Sequence, residues 1–540
     1  MVGAGRLADS RIRADRETGA LRKPAQLVGW LGRSRRASRD AHSDAGGHVR
    51  GTFLRRFRGA VSGKPGLLSF GCMTTTSGKQ AAPARPERTG RWIADWDPED
   101  AGCWQRTGAR VALRNLVFSI FSEHIGFSVW SLWSVLVLFL TPAYGISPDL
   151  KTAAAEKFLL TTLPTALGAG LRIPYTLAVA RFGGRTWTCI SAALLLVPTV
   201  AAAVVLTPGV SYGTLLLVAA LAGVGGGNFA SSMANINSFF PQRLKGRALG
   251  LNAGGGNIGV AVVQLAGLAV LATAGKGHPR ILLGIYIPLI VVAALCAALF
   301  MDNIAGVRNE KHAMRDASRN AHTWIIAVLY IGTFGSFIGF SFAFGQVLQD
   351  QFGTHFLTAG KVDPVKIAYL TFLGPLVGSA ARPAGGWLAD RFGGARTTFC
   401  TFAAMTAAAV AVLVASGQRS LAVFYIGFIA LFALSGLGNG STYKMIPAIF
   451  RAQEKLKVAA GGDPSTAGHD SRRLASAVIG IAGAAGAFGG VGVNVAFRQS
   501  FLTHGTGGPA YVGFIACYLI CMALTWLVYL RPSSRQLAGI

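Results

Sequence analysis

Long apolar runs, separated by short polar loops, occupy the chain from Asn115 onward. A bilayer core about 30 Å thick is spanned by about 20 apolar residues in a helix, so each run predicts one transmembrane helix. Twelve such runs are present, at 115–141, 155–178, 186–206, 213–239, 246–273, 281–301, 323–349, 366–388, 397–416, 420–449, 474–497 and 510–530. The pattern therefore predicts an all-α membrane protein with twelve transmembrane helices.

The longest loop between these runs, residues 302–322, is polar and basic and leaves six runs on each side. We predict an N-terminal six-helix bundle over 111–301 and a C-terminal six-helix bundle over 323–532. Residues 302–322 are then a cytoplasmic linker, and residues 533–540 a C-terminal tail.

The N-terminal segment, residues 1–110, is basic and is predicted to be a disordered tail. Its stretch TFLRRFRGAV is similar to a twin-arginine export signal, but the apolar GLLSF that follows is too short for a signal core. Two interpretations of the first 72 residues remain: a disordered basic tail, or translation that begins at Met73. The ordinary polar sequence after Met73 favours the second.

The composition agrees with a membrane protein and limits its partners. The chain is 52% hydrophobic and 14% charged, whereas about a quarter of the residues in soluble proteins are charged. The net charge of +29 comes from Lys and Arg in the tail and in short loops, so we expect no nucleic-acid partner. Loops after even-numbered runs are richer in Lys and Arg, which predicts a multi-pass plasma-membrane protein with both termini in the cytoplasm. The seven cysteines form no Cys-x-x-Cys pair, so neither a metal, a disulfide nor another cofactor is expected.

A repeat relates the two predicted halves. LRIPYTLAVARFGGRTWT, which begins at Leu171, is matched 210 residues later by ARPAGGWLADRFGGARTT. A second pair, GGGNFASSM with Asn228 and GLGNGSTYKM with Asn439, is separated by 211 residues. Parallel repeats of this kind are typical of transporters whose substrate lies between the halves near the bilayer midplane.

Each copy of the repeat places an arginine inside an apolar run. Arg172 lies nine residues before Arg181, which is at the membrane edge. At 1.5 Å per residue, Arg172 is then roughly 13 Å inside the membrane. Arg382 lies nine residues before Arg391 and has the equivalent depth. An arginine at a helix centre costs at least about 2.5 kcal/mol. One interpretation is pairing with protein carboxylates, but the runs offer few: Glu123 near the predicted start of the first helix, and Asp390 at a membrane-edge turn. We therefore favour a small anionic substrate held by the two guanidinium forks.

The loop charges beside the repeat have a different predicted role. Asp390, Arg391 and Arg181 lie where the cytoplasmic ends of the two halves would meet. We expect Asp390 to form a latch across this boundary that gates the transporter.

Two runs are rich in glycine. GRALGLNAGGGNIGV has Gly246, Gly250 and Gly254 spaced by four, and GIAGAAGAFGGVGV has glycines spaced by three. Small residues at such spacing let helices approach closely, either to rock against each other or simply to pack. Asn252 and Asn257 favour a functional role for the first run, because an amide at membrane depth needs a partner.

These stretches resemble the nitrate/nitrite porter family of the major facilitator superfamily. The resemblance rests on GGGNFASSMANINSFFPQRLKGRALGLNAGGGNIGV, the arginines of GLRIPY and SAARPAGGWLADRFGG, and the late GIAGAAGAFGGVG, and it covers residues 107–532. LADRFGG alone is a superfamily-wide motif, whereas the fifth-helix run with both arginines is specific. The resemblance implies alternating-access transport of nitrate and nitrite in the major facilitator fold.

The resemblance also implies which residues bind the anion. An arginine from each half grips it, an amide of the fifth helix and a hydroxyl of the seventh complete the site, and two aromatic rings bracket the flat ion. The matching positions are Arg172, Arg382, Asn257, Tyr330, Phe229 and Phe334. The eleventh run departs from the family pattern, since it reads Gly and Ala where a hydroxyl is expected, so only Gly480 and Gly483 are carried over there.

For the mechanism we expect exchange, with nitrate entering and nitrite leaving. An empty carrier with two positive charges should resist reorientation through a low-dielectric region. Proton symport needs a titratable group near the anion, and the candidates Glu123 and His124 lie too close to the predicted helix start. Proton-coupled symport and carriage of another small oxyanion are the alternatives. We do not favour a nitrate sensor, which would need a folded output domain, or an enzyme, which would need a recognisable catalytic motif. We expect the transporter to be a monomer.

Overall fold

The computed structural model describes residues 88–305 and 312–531. The predicted tail up to residue 87, the alternative start at Met73 and residues 533–540 lie outside the described residues. Twelve long helical segments, which we number α1 to α12, follow the predicted order. They are Ala109–Trp130, Leu150–Phe182, Gly184–Val205, Tyr212–Phe239, Gln242–Ala274, Pro279–Phe300, Ala321–Phe356, Pro364–Phe392, Gly394–Gly417, Leu421–Ala459, Pro464–His504 and Gly508–Leu530.

Ten of these segments, α3 to α12, are long and apolar enough to cross a membrane by length and composition, among the residues described. The other two, α1 and α2, are equally long but carry buried charged side chains: Glu123 on α1, and Lys157 and Arg172 on α2. The mean hydropathy of such a helix underestimates its ability to cross a membrane, because its polar groups face the interior of the bundle rather than lipid. The predicted all-helical membrane fold is confirmed.

The Arg-Phe-Gly-Gly repeat forms the same turn twice. Gly183 ends α2 with φ 85°, and Gly393 ends α8 with φ 91°, a conformation that favours glycine. The next helix begins at the second glycine in each case, where Gly184 lies against Asn235 and Gly394 lies against Met445. The repeat therefore encodes a tight corner between consecutive helices.

Aspartate caps begin two of the helices that meet between the halves. Asp149 accepts a hydrogen bond from the backbone N–H of Thr152 at 2.8 Å, before α2. The backbone N–H and the hydroxyl of Thr152 together lower the pKa of Asp149 below its usual value. Asp463 caps α11 in the same way, through the backbone N–H of Thr466 at 2.8 Å.

Residues 88–110, which the sequence assigned to the disordered tail, are folded against the N-terminal half. Strands β1 (Arg88–Thr89) and β2 (Trp92–Ile93) pair antiparallel, and β2 pairs parallel with β3 (Asn303–Ile304). Arg91 and Arg114 both form ion pairs with Asp302, which lies just before β3. The tail prediction was wrong for this stretch, because Arg91 has an acidic partner, Asp302, which is far along the chain and which composition alone does not reveal.

The remaining irregular elements connect or extend the helices. Between α7 and α8, β4 (Leu357–Thr358) and β5 (Lys361–Val362) form a two-stranded hairpin. A short helix, Ala313–Ser318, lies within the linker and is held by an ion pair of 2.8 Å between Asp316 and Arg473 of α11. One-turn helices occur at Ala101–Cys103, Trp104–Gly108, Trp133–Leu136 and Pro142–Tyr144.

The halves contact each other mainly through α2 with α11 and through α5 with α8. Thr161 of α2 donates to the side-chain oxygen of Asn494 of α11 at 3.0 Å. Gln264 of α5 donates to the carbonyl oxygen of Ser341 of α7 at 2.9 Å. Polar contacts of this kind stabilise helix association where lipid offers no hydrogen-bond partner. The arginines of the repeat lie within this inter-half contact.

Candidate functional site

The two arginines of the repeat lie buried in opposite halves and converge on the same two rings. Arg172 on α2 is 0% exposed and Arg382 on α8 is 4% exposed. The guanidinium carbon of Arg172 lies 4.6 Å from the ring centroid of Phe229 and 4.8 Å from that of Phe334. The corresponding distances from Arg382 are 5.6 and 5.9 Å. Two positively charged guanidinium groups therefore lie around the same pair of aromatic rings in the interior of the protein.

Phe229 of α4 and Phe334 of α7 contact each other between the halves. Their ring centroids are 5.7 Å apart, with an angle of 26° between the planes, which is the spacing of an ordinary aromatic pair. The rings would have to part before they could bracket an ion as the resemblance implies. In this conformation their faces instead make cation–π contacts with both arginines, which stabilise the buried positive charge.

Each of the two guanidinium groups donates one hydrogen bond to the described part of the protein and retains other donors. Arg172 Nη1 donates to the carbonyl oxygen of Gly483 at 2.9 Å, and Arg382 Nη2 donates to the Tyr330 hydroxyl at 3.0 Å. Within the described chain, Nε and Nη2 of Arg172 and Nη1 of Arg382 are buried without a partner. Neither guanidinium forms an ion pair with a carboxylate there. Unpaired buried donors are unfavourable, and an oxyanion could satisfy all of them.

Tyr330 is held in place by both its neighbours and the backbone of α11. Its ring stacks on Phe334 with centroids 5.1 Å apart and 8° between the planes. A Cβ on Gly486 would lie 2.6 Å from Tyr330 Cδ1, so only glycine leaves room for the ring. Tyr330, Phe334 and Arg382 thus form one connected group in the C-terminal half.

The other predicted residues have different relations to the arginines. Asn257 of α5 is 1% exposed, and both of its amide atoms lack a partner in the part of the chain that the structure describes. Gly483 contributes its carbonyl oxygen to Arg172, as described above. Gly480 instead lies beside Met314 of the short linker helix and Thr176 of α2. The structure therefore joins Gly483 to the arginine pair, and it places Gly480 next to the linker.

Sequence reasoning missed two aromatic residues beside the arginines. The guanidinium carbon of Arg172 lies 5.4 Å from the Trp130 ring, and that of Arg382 lies 5.5 Å from the Tyr443 ring. Asn228 and Asn439, the residues of the second repeat, are buried with amide atoms that lack a partner over residues 88–305 and 312–531. The repeat was the signal for these positions, because Tyr443 also lies within GLGNGSTYKM.

Comparison with known proteins identifies the family of this chain. The family model described as Major Facilitator Superfamily matches residues 116–491. The nitrate/nitrite transporter NarU of Salmonella typhimurium is 37% identical over 465 residues, which cover 82% of this chain and 97% of the relative. The chain belongs to the nitrate/nitrite porter family of the Major Facilitator Superfamily. This porter is also 33% identical to the probable nitrate/nitrite antiporter NarK2 of Thermus thermophilus, over 83% of this chain and 98% of the relative.

The porter has the fold of solved transporters of the superfamily. The partially occluded inward-open structure of the xylose transporter XylE from E. coli matches with a TM-score of 0.58. That match covers 77% of this chain and 98% of the other, at 11% sequence identity. At such low identity the likeness shows the fold alone. Since ten helices of the described residues are long and apolar enough to cross a membrane, the porter is a multi-pass membrane protein.

The predicted latch across the halves is wrong. Asp390 of α8 pairs with Lys444 of α10 at 2.6 Å, and both belong to the C-terminal half. Arg391 packs over the ring of Phe392, and Arg181 packs over that of Phe182. A cation inside its own half is closer to Asp390, so the acid is neutralised there. Lys444 itself lies beside Gly246 of α5, so the pair borders the other half without bonding to it.

The glycine runs also act differently from the prediction. A Cβ on Gly250 or Gly254 would meet nothing within 4 Å, so this four-residue spacing makes no close helix contact. The tight contacts of α5 are at Gly255 and Gly259, which lie against α1. In the other run, Gly489 contacts the backbone of α7. These contacts join helices within one half, and they do not form the sliding surface between halves.

Glu123 lies deeper than predicted. Because α1 begins at Ala109, Glu123 is roughly 21 Å along the helix at 1.5 Å per residue, and it is 1% exposed. Its hydrogen-bond partner Ser232 lies one helical turn after Phe229 on α4. The expectation that Glu123 lies too close to the helix start to be near the anion site was therefore wrong. Among the described residues, no group of three or more His, Cys, Asp or Glu could hold a metal ion.

Proposed function

We propose that this porter carries nitrate and nitrite across the plasma membrane by alternating access, with the anion held between Arg172 and Arg382. The observation that carries the proposal is the convergence of two buried guanidiniums, one from each half, on one aromatic pair. Both guanidiniums have donors without a partner, and neither has an acidic partner in the described chain. A negatively charged substrate would supply the missing partner. Relatives that cover most of this chain are named nitrate/nitrite transporters.

The chemistry of the site favours a small, flat anion. Guanidinium forks offer pairs of coplanar N–H donors, which match the oxygens of a planar oxyanion. The Tyr330 hydroxyl, which already accepts from Arg382, has a proton of its own to donate. Asn257 adds an amide whose atoms are unpartnered in the described residues.

The position of the arginines explains how an anion could drive the conformational cycle. Without a substrate, two positive charges face the same rings in a low-dielectric interior, and their repulsion favours separation of the halves. A bound anion attracts both arginines and so stabilises the occluded state. The halves then reopen to one side or the other, which we expect to allow exchange of entering nitrate for departing nitrite. We place both termini in the cytoplasm, as the loop charges predict.

The test is nitrate uptake by the purified full chain in liposomes preloaded with nitrite. We expect Arg172→Lys and Arg382→Lys each to lower uptake by about tenfold or more, the effect of about 1.4 kcal/mol. Lysine keeps the charge but replaces the planar fork with a compact ammonium. Arg396→Lys, at an exposed position of α9, is the matched control.

Uptake by both site variants at the wild-type rate would contradict the proposed grip. A competition series then tests the substrate class: unlabelled nitrate and nitrite should compete, whereas tetrahedral sulfate and phosphate should not. Strong competition by phosphate alone would favour a carrier of another oxyanion.

A further inference from the structure

Tyr443 of α10 brings a second phenol to the arginine of the C-terminal half. The guanidinium carbon of Arg382 lies 5.5 Å from the centroid of the Tyr443 ring. The same ring contacts that of Tyr330, with centroids 5.7 Å apart and 46° between the planes. Arg382 therefore has two phenols as neighbours, one from α7 and one from α10.

The packing of α10 against α8 holds Tyr443 at the level of Arg382. A Cβ on Gly440 of α10 would overlap the carbonyl oxygen of Arg382, so the two helices touch backbone to backbone there. Tyr443 follows Gly440 by three residues, or about 4.5 Å along the helix axis. The repeat places Gly440 where the N-terminal half has Phe229. In the C-terminal half, the ring that α10 presents to the arginine thus comes from the next turn, and it has a hydroxyl.

The Tyr443 hydroxyl and the guanidinium of Arg382 do not satisfy each other. Tyr443 Oη and Arg382 Nη1 are both buried without a hydrogen-bond partner among the described residues. If Tyr443 accepted from Arg382, as Tyr330 does, both atoms would be satisfied at once. Instead each of them has a proton to donate and no described acceptor. Buried polar groups without partners are unfavourable, so these neighbouring donors indicate a ligand with acceptor oxygens.

We infer that the Tyr443 hydroxyl donates a hydrogen bond to the transported anion, so that α10 contributes to the binding site. This inference rests on the proposed function. The two phenols then have different roles: the oxygen of Tyr330 accepts from Arg382 and positions the guanidinium, whereas Tyr443 has its donor free for the ion. A hydrogen bond to a charged oxyanion is stronger than one between neutral groups. Arg382 and Tyr443 together attach the anion to the C-terminal half.

The hydroxyl has a different effect on the empty carrier. Because Tyr443 Oη has no partner in the described chain, its removal takes away an unfavourable buried group and breaks no bond there. Tyr443→Phe should therefore leave the melting temperature of the nitrate-free protein at or above the wild-type value. Tyr330→Phe should lower that temperature, because a donor of Arg382 then loses its acceptor.

The experiment measures nitrate binding by the purified full chain. The increase in melting temperature with added nitrate gives the affinity, and the nitrate concentration for half-maximal uptake into nitrite-loaded liposomes gives an independent value. Tyr443→Phe keeps the ring beside Arg382 and removes only the hydroxyl. We expect it to weaken nitrate binding by about tenfold or more, the typical effect of a hydrogen bond to a charged group.

Tyr175→Phe is the matched control. The Tyr175 hydroxyl is also buried without a hydrogen-bond partner over the described residues, but its ring packs edge-on against Trp187 within the N-terminal half. Its removal should leave the nitrate affinity at the wild-type value.

Unchanged nitrate affinity in Tyr443→Phe would overturn the inference, because the hydroxyl would then meet water rather than the anion. An equal loss in Tyr175→Phe, or a lower melting temperature of nitrate-free Tyr443→Phe, would overturn it too, since the hydroxyl would then act on the structure alone. Each of these results leaves the proposed function standing. A wild-type protein that nitrate does not stabilise and that takes up no nitrate would overturn the proposed function itself.

Discussion

Gly486 of α11 lies directly against the ring of Tyr330 of α7, since a Cβ at position 486 would come within 2.6 Å of Tyr330 Cδ1. The hydroxyl of this tyrosine accepts the hydrogen bond of Arg382, and its ring stacks on Phe334. Gly486 thus positions the anion-binding group from behind, whereas Gly483 touches Arg172 through its carbonyl oxygen.

Gly486→Ala is therefore expected to impair nitrate binding. The added methyl group must displace Tyr330, and overpacking of this kind costs about 1–3 kcal/mol, which corresponds to a loss of affinity of roughly fivefold or more. Gly492→Ala on the same helix is the control, because a Cβ there meets nothing within 4 Å. The measurement is the nitrate concentration for half-maximal uptake, and equal values for both variants would refute the packing argument.

The aromatic pair gives a second prediction. Phe334→Leu keeps an apolar side chain but removes one of the two rings that contact both arginines. Because buried cation–π contacts contribute up to about 2 kcal/mol, the thermal stability of the substrate-free protein should fall, and added nitrate should restore part of it. Phe399→Leu, which removes a ring that packs only on Trp526 of the same half in the contacts described, should show no greater rescue by nitrate than the wild type. The same nitrate-induced stabilisation in all three proteins would speak against a role for the ring at the anion site.

The exposed pair of Asp390 and Lys444 should contribute little. Partly exposed ion pairs contribute about 0–1 kcal/mol, so Asp390→Asn, Lys444→Gln and the double variant should all have nearly the same stability and transport rate as the wild type. High salt should remove any difference that remains. A large loss in Asp390→Asn that an opposite charge at Arg181 reverses would instead support a latch across the halves.

The tight corner after α2 leads to the fourth prediction. In Gly184→Ala the new Cβ overlaps the buried side chain of Asn235, whereas in Gly394→Ala it meets only the flexible side chain of Met445 at 2.7 Å. We expect Gly184→Ala to lower the stability by about 1–3 kcal/mol and Gly394→Ala to lower it less. Gly213→Ala, with nothing within 4 Å of its Cβ, should have no effect on the melting temperature of the purified protein. A larger loss of stability in Gly394→Ala than in Gly184→Ala would contradict this prediction. It would show that the contacts around each corner do not decide the effect of the substitution.

The number of helices and the position of the paired arginines were predictable because both are local properties. Apolar runs reveal helices through length alone, and the repeat fixes Arg172 and Arg382 at equivalent depth in each half. The charge partners were not predictable. Asp302 gathers Arg91 and Arg114 across most of the N-terminal half, and Asp390 pairs with Lys444, 54 residues away. Which of several cations pairs with a given acid is decided by the packing of the folded protein, which the sequence pattern does not reveal.

The depth of Glu123 was misjudged because the start of the first helix was set by hydrophobicity. The helix begins at Ala109, before the apolar run, since polar residues such as Arg114 are stabilised there by Asp302. A helix start that lies six residues earlier places Glu123 about 9 Å farther from the end of its helix. Helix ends are the part of a sequence pattern that depends most on distant partners.

The two corners at Gly183 and Gly393 have a mechanical consequence. Because each corner has a single bridging residue, the two helices that it joins are held together at that end. We therefore expect each arginine to move together with the two helices that its corner joins. Bending during the transport cycle must then occur in the longer loops and within helices. A distance measured between labels on α3 and α9 would then report how far the two arginines themselves separate in each turn of the carrier.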